Sequence, residues 1–198
     1  MGSDPDREAI PARGAVVVFD LEYTSWEGAA ERGWSGPGEH REIVQIGAVR
    51  LDAADGLRET GALERLVRPA RNPVLSDYFV ALTGIAQAAV DRDGVPFTEG
   101  LIDFLDFCNG AAALCCNGWD HRVIEENCNL AGIPYPLDEA RVRNVQPILK
   151  RAIDAPSWIT SSDLPRLLGL ETDGPAHQGL ADARAIAAAL RWIANEER

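Results

Sequence analysis

Ala15-Val-Val-Val-Phe-Asp-Leu-Glu22 is an apolar run that ends in two carboxylates one residue apart. Side chains alternate between the faces of a strand, so Asp20 and Glu22 emerge on the same side at its tip. Two like charges about 4 Å apart repel by roughly 4 kcal/mol at an effective dielectric near 20. Such a pair calls for a cation or a shared proton, and for further carboxylates elsewhere in the chain. The alternative is a strand that ends in polar residues at the surface.

Outward from this strand, residues 23–41 are rich in Gly, Glu and Trp and read as a loop beside the acid pair. Residues 42–51 and 60–68 have strand character, with Asp55-Gly56 as the turn signal between them. A short turn implies antiparallel pairing, hence a mixed sheet. Residues 75–91 contain a short helix ended by Gly84, and residues 97–109 a helix with Leu101, Leu105 and Cys108 on one face and Thr98 as its N-cap. Residues 111–116 form a short apolar strand. Asp120 follows it, at the sheet edge and at the start of a helix over about 121–131; an N-cap is the other use of an Asp there. A strand at 142–145, short helices at 146–153 and 162–168, and a final helix at 180–196 striped by Ile186, Leu190 and Ile193 complete the chain. The expected architecture is a flexible tail over residues 1–13, then one α/β domain over 14–198 whose central mixed five-stranded sheet is flanked by helices.

Hydrophobic residues at 46% and charged residues at 25% of 198 are ordinary globular values. The N-terminus has neither a basic start nor an apolar core, Asp6 stands where a myristoylation signal has Ser or Thr, and no apolar run approaches the roughly 18 residues of a membrane helix. Cys108, Cys115, Cys116 and Cys128 include no Cys-x-x-Cys; zinc binding and buried reduced thiols are both open to them, and their apolar surroundings favour thiols. A cytoplasmic protein is expected. The net charge of −12 argues against a broad electrostatic grip on nucleic acid. Lys150 is the only lysine, so phosphate contacts fall to arginine, backbone amides or bound cations.

His177-Gln178-Gly179-Leu180-Ala181-Asp182 opens the last helix. Five residues on one helix set side chains about 140° apart, so His177 and Asp182 face one site only if His177 lies on the preceding loop, which Gly179 permits.

Asp20-x-Glu22, Asp120 and His177-x-x-x-x-Asp182, in that order, resemble the DEDDh family of 3′-to-5′ exonucleases, which includes proofreading exonucleases and RNase T. Phe19-Asp20-Leu21-Glu22 is similar to the first family motif, Trp119-Asp120 to the second and His177 to Asp182 to the third. Pro73-Val74-Leu75-Ser76-Asp77-Tyr78, Leu82-Thr83-Gly84-Ile85 and Pro175-Ala176-His177-Gln178-Gly179-Leu180 resemble the Eri-type branch, which trims small RNAs and structured RNA ends. The resemblance runs over residues 16–192. It departs where that branch often carries an additional nucleic-acid-binding segment, and at Ala181, where the branch commonly has an acid.

The resemblance implies a ribonuclease H-like fold and a hydrolase that releases nucleoside monophosphates from the 3′ end of single-stranded nucleic acid, RNA before DNA. Two divalent ions about 3.5 to 4 Å apart serve such hydrolysis, and Mg²⁺ or Mn²⁺ prefers oxygen ligands where zinc wants more His or Cys. On the family pattern Asp20 bridges both ions, Glu22 and Asp182 complete the one that holds the attacking water, and Asp120 serves the other, partly through water. His177 is the general base, since histidine as a residue type titrates near neutrality. Leu82, Thr83 and Ile85 form a wedge near the terminal base, the backbone of Leu21 to Tyr23 holds the 3′ hydroxyl, and Trp119 either stacks on the base or belongs to the core.

Two other readings compete. A haloacid-dehalogenase-like phosphatase shares an apolar run ending in Asp, but it needs Asp rather than Glu22 two residues on, and an acidic pattern after its lysine that is missing here. A nuclease fold kept as a non-catalytic RNA-end or protein-binding module is the other.

Overall fold

The first strand sits among the inner strands of the sheet because its residues fit nowhere else: Val16, Val17, Val18 and Phe19 are each fully buried. A computed structural model describes residues 10–155, 157–171, 174 and 176–196. Most of the expected tail and Pro175 of the last Eri-type stretch lie outside the described residues. The strands are β1 (Ala15–Tyr23), β2 (Ile43–Asp52), β3 (Arg58–Arg68), β4 (Val95–Pro96), β5 (Ala111–Cys116) and β6 (Val142–Asn144). The helices are α1 (Asp77–Thr83), α2 (Gln87–Asp93), α3 (Phe97–Phe107), α4 (Asp120–Ala131), α5 (Gln146–Ala152), α6 (Leu164–Leu168) and α7 (Gly179–Glu196). None of the described helices is long and apolar enough to cross a membrane.

The sheet runs β4-β3-β2-β1-β5-β6. β1 pairs antiparallel with β2 and parallel with β5, and β2 pairs antiparallel with β3, so the sheet is mixed as expected. Among the described residues it has six strands rather than five. The additional β4 is two residues long, pairs with Val67 and Arg68, and contains a proline, which is confined to sheet edges because it cannot donate to the ladder. No periodicity is readable from two residues. Residues 75–91 likewise hold α1 and the start of α2, and α3 begins at Phe97 without a side-chain cap from Thr98.

Helices cover both faces of β1. Its odd-numbered residues Val17, Phe19 and Leu21 join Phe104 of α3 and Ile124 of α4 in one core, where Phe19 and Phe104 meet edge-on at 5.1 Å between ring centroids. Val16 and Val18 join Ile186 and Leu190 of α7 in the other. Asp20 and Glu22 continue the even-numbered series, so they emerge toward α7.

Two glycines let α7 come that close. Gly47 pairs with Asp20 across β1 and β2, and a Cβ on it would lie 1.9 Å from the carbonyl carbon of Gly179 and 2.0 Å from the amide nitrogen of Leu180. A Cβ on Gly179 would stand 2.9 Å from the Asp20 carbonyl oxygen. Backbone therefore meets backbone, and the Gly179 amide donates to Gln45 Oε1 at 2.8 Å. The end of the third motif is thus held against the strand that carries the first.

Candidate active site

Asp20 and Glu22 from β1 meet Asp182 from the first turn of α7, with one carboxylate oxygen of each within 4.8 Å of the other two. All three side chains are buried. Ser161 donates its hydroxyl to Asp20 Oδ1 at 2.9 Å, from a segment 141 residues further along the chain. His177 precedes α7 in the left-handed region at φ 58°, and its backbone N–H donates to Asp182 Oδ2 at 3.1 Å. His177 is therefore on a loop, as the spacing requires. Asp120 is the first residue of α4 and makes no N-cap bond; it stands outside the trio but lines the same cavity.

Burial and mutual repulsion set the electrostatics. Desolvation, followed by the charges of Asp120, Glu22 and Asp182, drives the Asp20 carboxyl well above the usual carboxylate range against the Ser161 hydrogen bond. Desolvation, then Asp182 and Asp120, pushes Glu22 up to about 8. Burial pushes Asp120 up to about 7, opposed by backbone N–H groups of Asp120 and Leu21 and by the Arg41 guanidinium, and pushes Asp182 up to about 6 against the His177 N–H. Four carboxylates on one cavity, each resisting ionisation, fit a hard divalent cation: every donor is oxygen, and Arg41 is the sole Arg or Lys lining the cavity among the described residues.

The cavity is about 770 Å³, and Leu21, Tyr23, Leu82, Trp119 and His177 join the acids in lining it. Trp119 is 58% exposed, which places it in the cavity wall and not in the core. Thr83 and Ile85 do not line it. The Thr83 hydroxyl donates to the Phe79 carbonyl at 2.9 Å and accepts from the Ile85 amide at 3.1 Å, closing the end of α1, while Ile85 packs with Val44, Phe79 and Val90. Both are buried because the chain turns at Gly84 into α2 and folds that corner onto β2.

Sequence reasoning missed the rest of the wall. Arg41 stacks over Trp34, 5.3 Å from its ring centroid, leans toward Tyr23 at 6.0 Å, and is held by Glu126, whose Oε2 accepts from Arg41 Nε at 2.9 Å. Trp34 in a glycine-rich loop was the one local sign of this cluster. Tyr78, which ends one of the Eri-type stretches, also lines the cavity, as do Trp158 and Ser161, whose neighbourhoods carry no such mark. The four cysteines are buried free thiols, with burial raising Cys115 to about 12.

A carboxylate cluster at the strand ends of a ribonuclease H-like sheet defines a nuclease class. The exonuclease (RNase T) family model matches residues 17–190, and the chain belongs to that family. It is 25% identical to the 3′-5′ exonuclease Snipper of Drosophila melanogaster, over 93% of this chain and 70% of that one. It is 28% identical to human 3′-5′ exoribonuclease 1, over 87% of this chain and 50% of that one, so it spans about half the length of the human relative. Among solved structures, the nuclease domain of 3′hExo, a DEDDh family member bound to rAMP, aligns at a TM-score of 0.79 with 26% identity, covering 95% of each chain. A 3′-exonuclease whose structure concerns 3′-end specific recognition of a histone mRNA stem-loop aligns at 0.80 with 25% identity, covering 94% of this chain and 84% of that one. The phosphatase alternative is set aside by the family match.

Proposed function

We propose that this domain hydrolyses the last phosphodiester at the 3′ end of single-stranded RNA, and less readily of DNA, releasing nucleoside monophosphates at a site holding two Mg²⁺ or Mn²⁺ ions. The observation that carries the reading is the buried trio Asp20, Glu22 and Asp182, with Asp120 on the same cavity and each carboxyl held above its ordinary range. Support for RNA comes from the exoribonuclease relative and from the rAMP bound by a similar domain. The four acids hold the ions, which when bound neutralise the phosphate and the leaving 3′ oxygen and activate water. His177, on the loop ahead of α7 and lining the same cavity, takes the proton of the attacking water. Ser161 fixes the rotamer of Asp20. The backbone around Leu21 and Tyr23 receives the 3′ hydroxyl, and Leu82 with Trp119 contacts the terminal base. Thr83 and Ile85 act through the shape of the α1 end.

End-labelled single-stranded RNA and DNA incubated with Mg²⁺ or Mn²⁺ test the reading. Wild type shortens RNA one nucleotide at a time and faster than DNA; Asp20→Ala abolishes this, and His177→Ala slows it about 10²- to 10⁴-fold, the usual worth of a general base. Intact substrate in every wild-type lane, with RNA still bound, leaves the fold as a binding module.

A further inference from the structure

We propose that Trp158 is the stacking platform for the nucleobase next to the terminal one, on the strand whose 3′ end enters the acid cavity; this rests on the nuclease reading above. Seven large apolar side chains are exposed among the described residues, and four of them, Tyr78, Leu82, Trp119 and Trp158, line this one cavity. Trp158 is 52% exposed, an indole left in contact with water where burial would stabilise the fold.

The ring is seated, not loose. A Cβ on Gly118 would lie 2.6 and 2.7 Å from two atoms of the Trp158 six-membered ring, so the indole packs on a residue that has no side chain, next to Trp119 and Asp120. The backbone behind it is fixed by buried amides. The Ile159 carbonyl accepts from Asn117 Nδ2 at 3.0 Å and from Gln146 Nε2 at 2.8 Å, and the Ile159 amide donates to Gln146 Oε1 at 3.1 Å. Two residues further on, Ser161 bonds to Asp20. The indole is thereby set at a fixed distance from the acid centre, and a partner that stacks on it meets a surface already ordered.

The partner's chemistry follows from what stands nearby. Arg41 is the sole Arg or Lys lining the cavity among the described residues, so a second phosphate finds little to attract it, whereas the uncharged face of a base finds two exposed indoles, Trp119 and Trp158. With Trp119 at the terminal base, Trp158 beside Gly118 meets the next one.

Steady-state hydrolysis of short single-stranded RNAs carrying an abasic residue first, second or third from the 3′ end tests this, with wild type, Trp158→Ala and Trp158→Phe. On the intact RNA, Trp158→Ala raises KM about 5- to 150-fold, the range of one lost base stack, with kcat within about twofold, and Trp158→Phe recovers most of the loss. The abasic residue in second place costs the wild type a similar factor and costs Trp158→Ala nothing more. If Trp158→Ala fails to fold, Trp158→Leu keeps an apolar seat without a flat face and is expected to behave as the alanine variant. Unchanged KM in these variants, or an equal penalty from the second-place abasic residue in wild type and variant, overturns the proposal while the nuclease reading stands. A wild type that cleaves none of the RNAs overturns both.

Discussion

Asp20 receives a hydrogen bond from Ser161 that favours its ionised form, against burial and three neighbouring carboxylates that oppose it. The same imbalance holds at Glu22, Asp120 and Asp182, raised to about 8, 7 and 6 from ordinary values near 4. A carboxyl whose pKa is higher folded than unfolded binds its proton more tightly in the folded state. Its contribution to stability is fully present below the unfolded pKa and is lost as pH rises through the folded one. For these groups the loss runs from about pH 4 to about pH 8. The melting temperature of the metal-free protein is therefore expected to fall across that window after the general acid-unfolding region is passed, and Asp182→Asn is expected to flatten the fall. Mn²⁺ competes with protons for the same oxygens, so its stabilising effect grows with pH over the window. Thermal melts at several pH values, with and without Mn²⁺, measure all three; an Mn²⁺ effect that is equal at low and high pH, or that survives intact in Asp182→Asn, contradicts the assignment of these acids as ligands.

The meeting of β1, β2 and α7 is where the fold makes the site. Gly47→Ala would drive a methyl group to about 2 Å from the backbone of Gly179 and Leu180, and no side chain can yield to relieve it. Overpacking ordinarily costs about 1–3 kcal/mol, and a backbone clash belongs at or above the top of that range. Urea unfolding of Gly47→Ala is expected to show at least that loss, with weakened Mn²⁺ stabilisation because Asp182 moves with α7; a variant as stable as wild type means that α7 sits differently. What was legible in the sequence is what local periodicity writes. The alternation in β1 gave the acid pair and its common face, the five-residue spacing required a loop position for His177 if it was to share a site with Asp182, and the apolar stripe gave α7. Contacts between distant segments leave no such mark: Ser161 reaches Asp20 across 141 residues, Gly47 matters only once α7 is docked, and Trp158 follows a stretch without helical or strand period. Thr83 and Ile85 carried a family motif, yet their burial is decided by how α1 and α2 turn at Gly84.

Across the whole molecule, 31 Asp and Glu face 19 Lys and Arg, and the cation on the cavity wall, Arg41, is already engaged by Glu126 and by the faces of Trp34 and Tyr23. Single-strand binding that relies on phosphates weakens with salt in proportion to the number of phosphates neutralised, at about −0.7 in log–log slope for each. A protein of net charge −12 whose substrate contacts are those proposed above, carboxylate-held ions, backbone and aromatic rings, has few phosphates to neutralise beyond the reacting end. KM for single-stranded RNAs of about 5 and about 20 nucleotides is thus expected to agree within about twofold at fixed Mn²⁺, and its salt slope to correspond to about two phosphates or fewer. Arg41→Gln is expected to flatten that slope further, since it removes the one Arg or Lys that lines the cavity among the described residues while Trp34 and Tyr23 keep their places. Affinity that climbs steadily with length would require a basic track outside the cavity, on a surface whose overall charge opposes one.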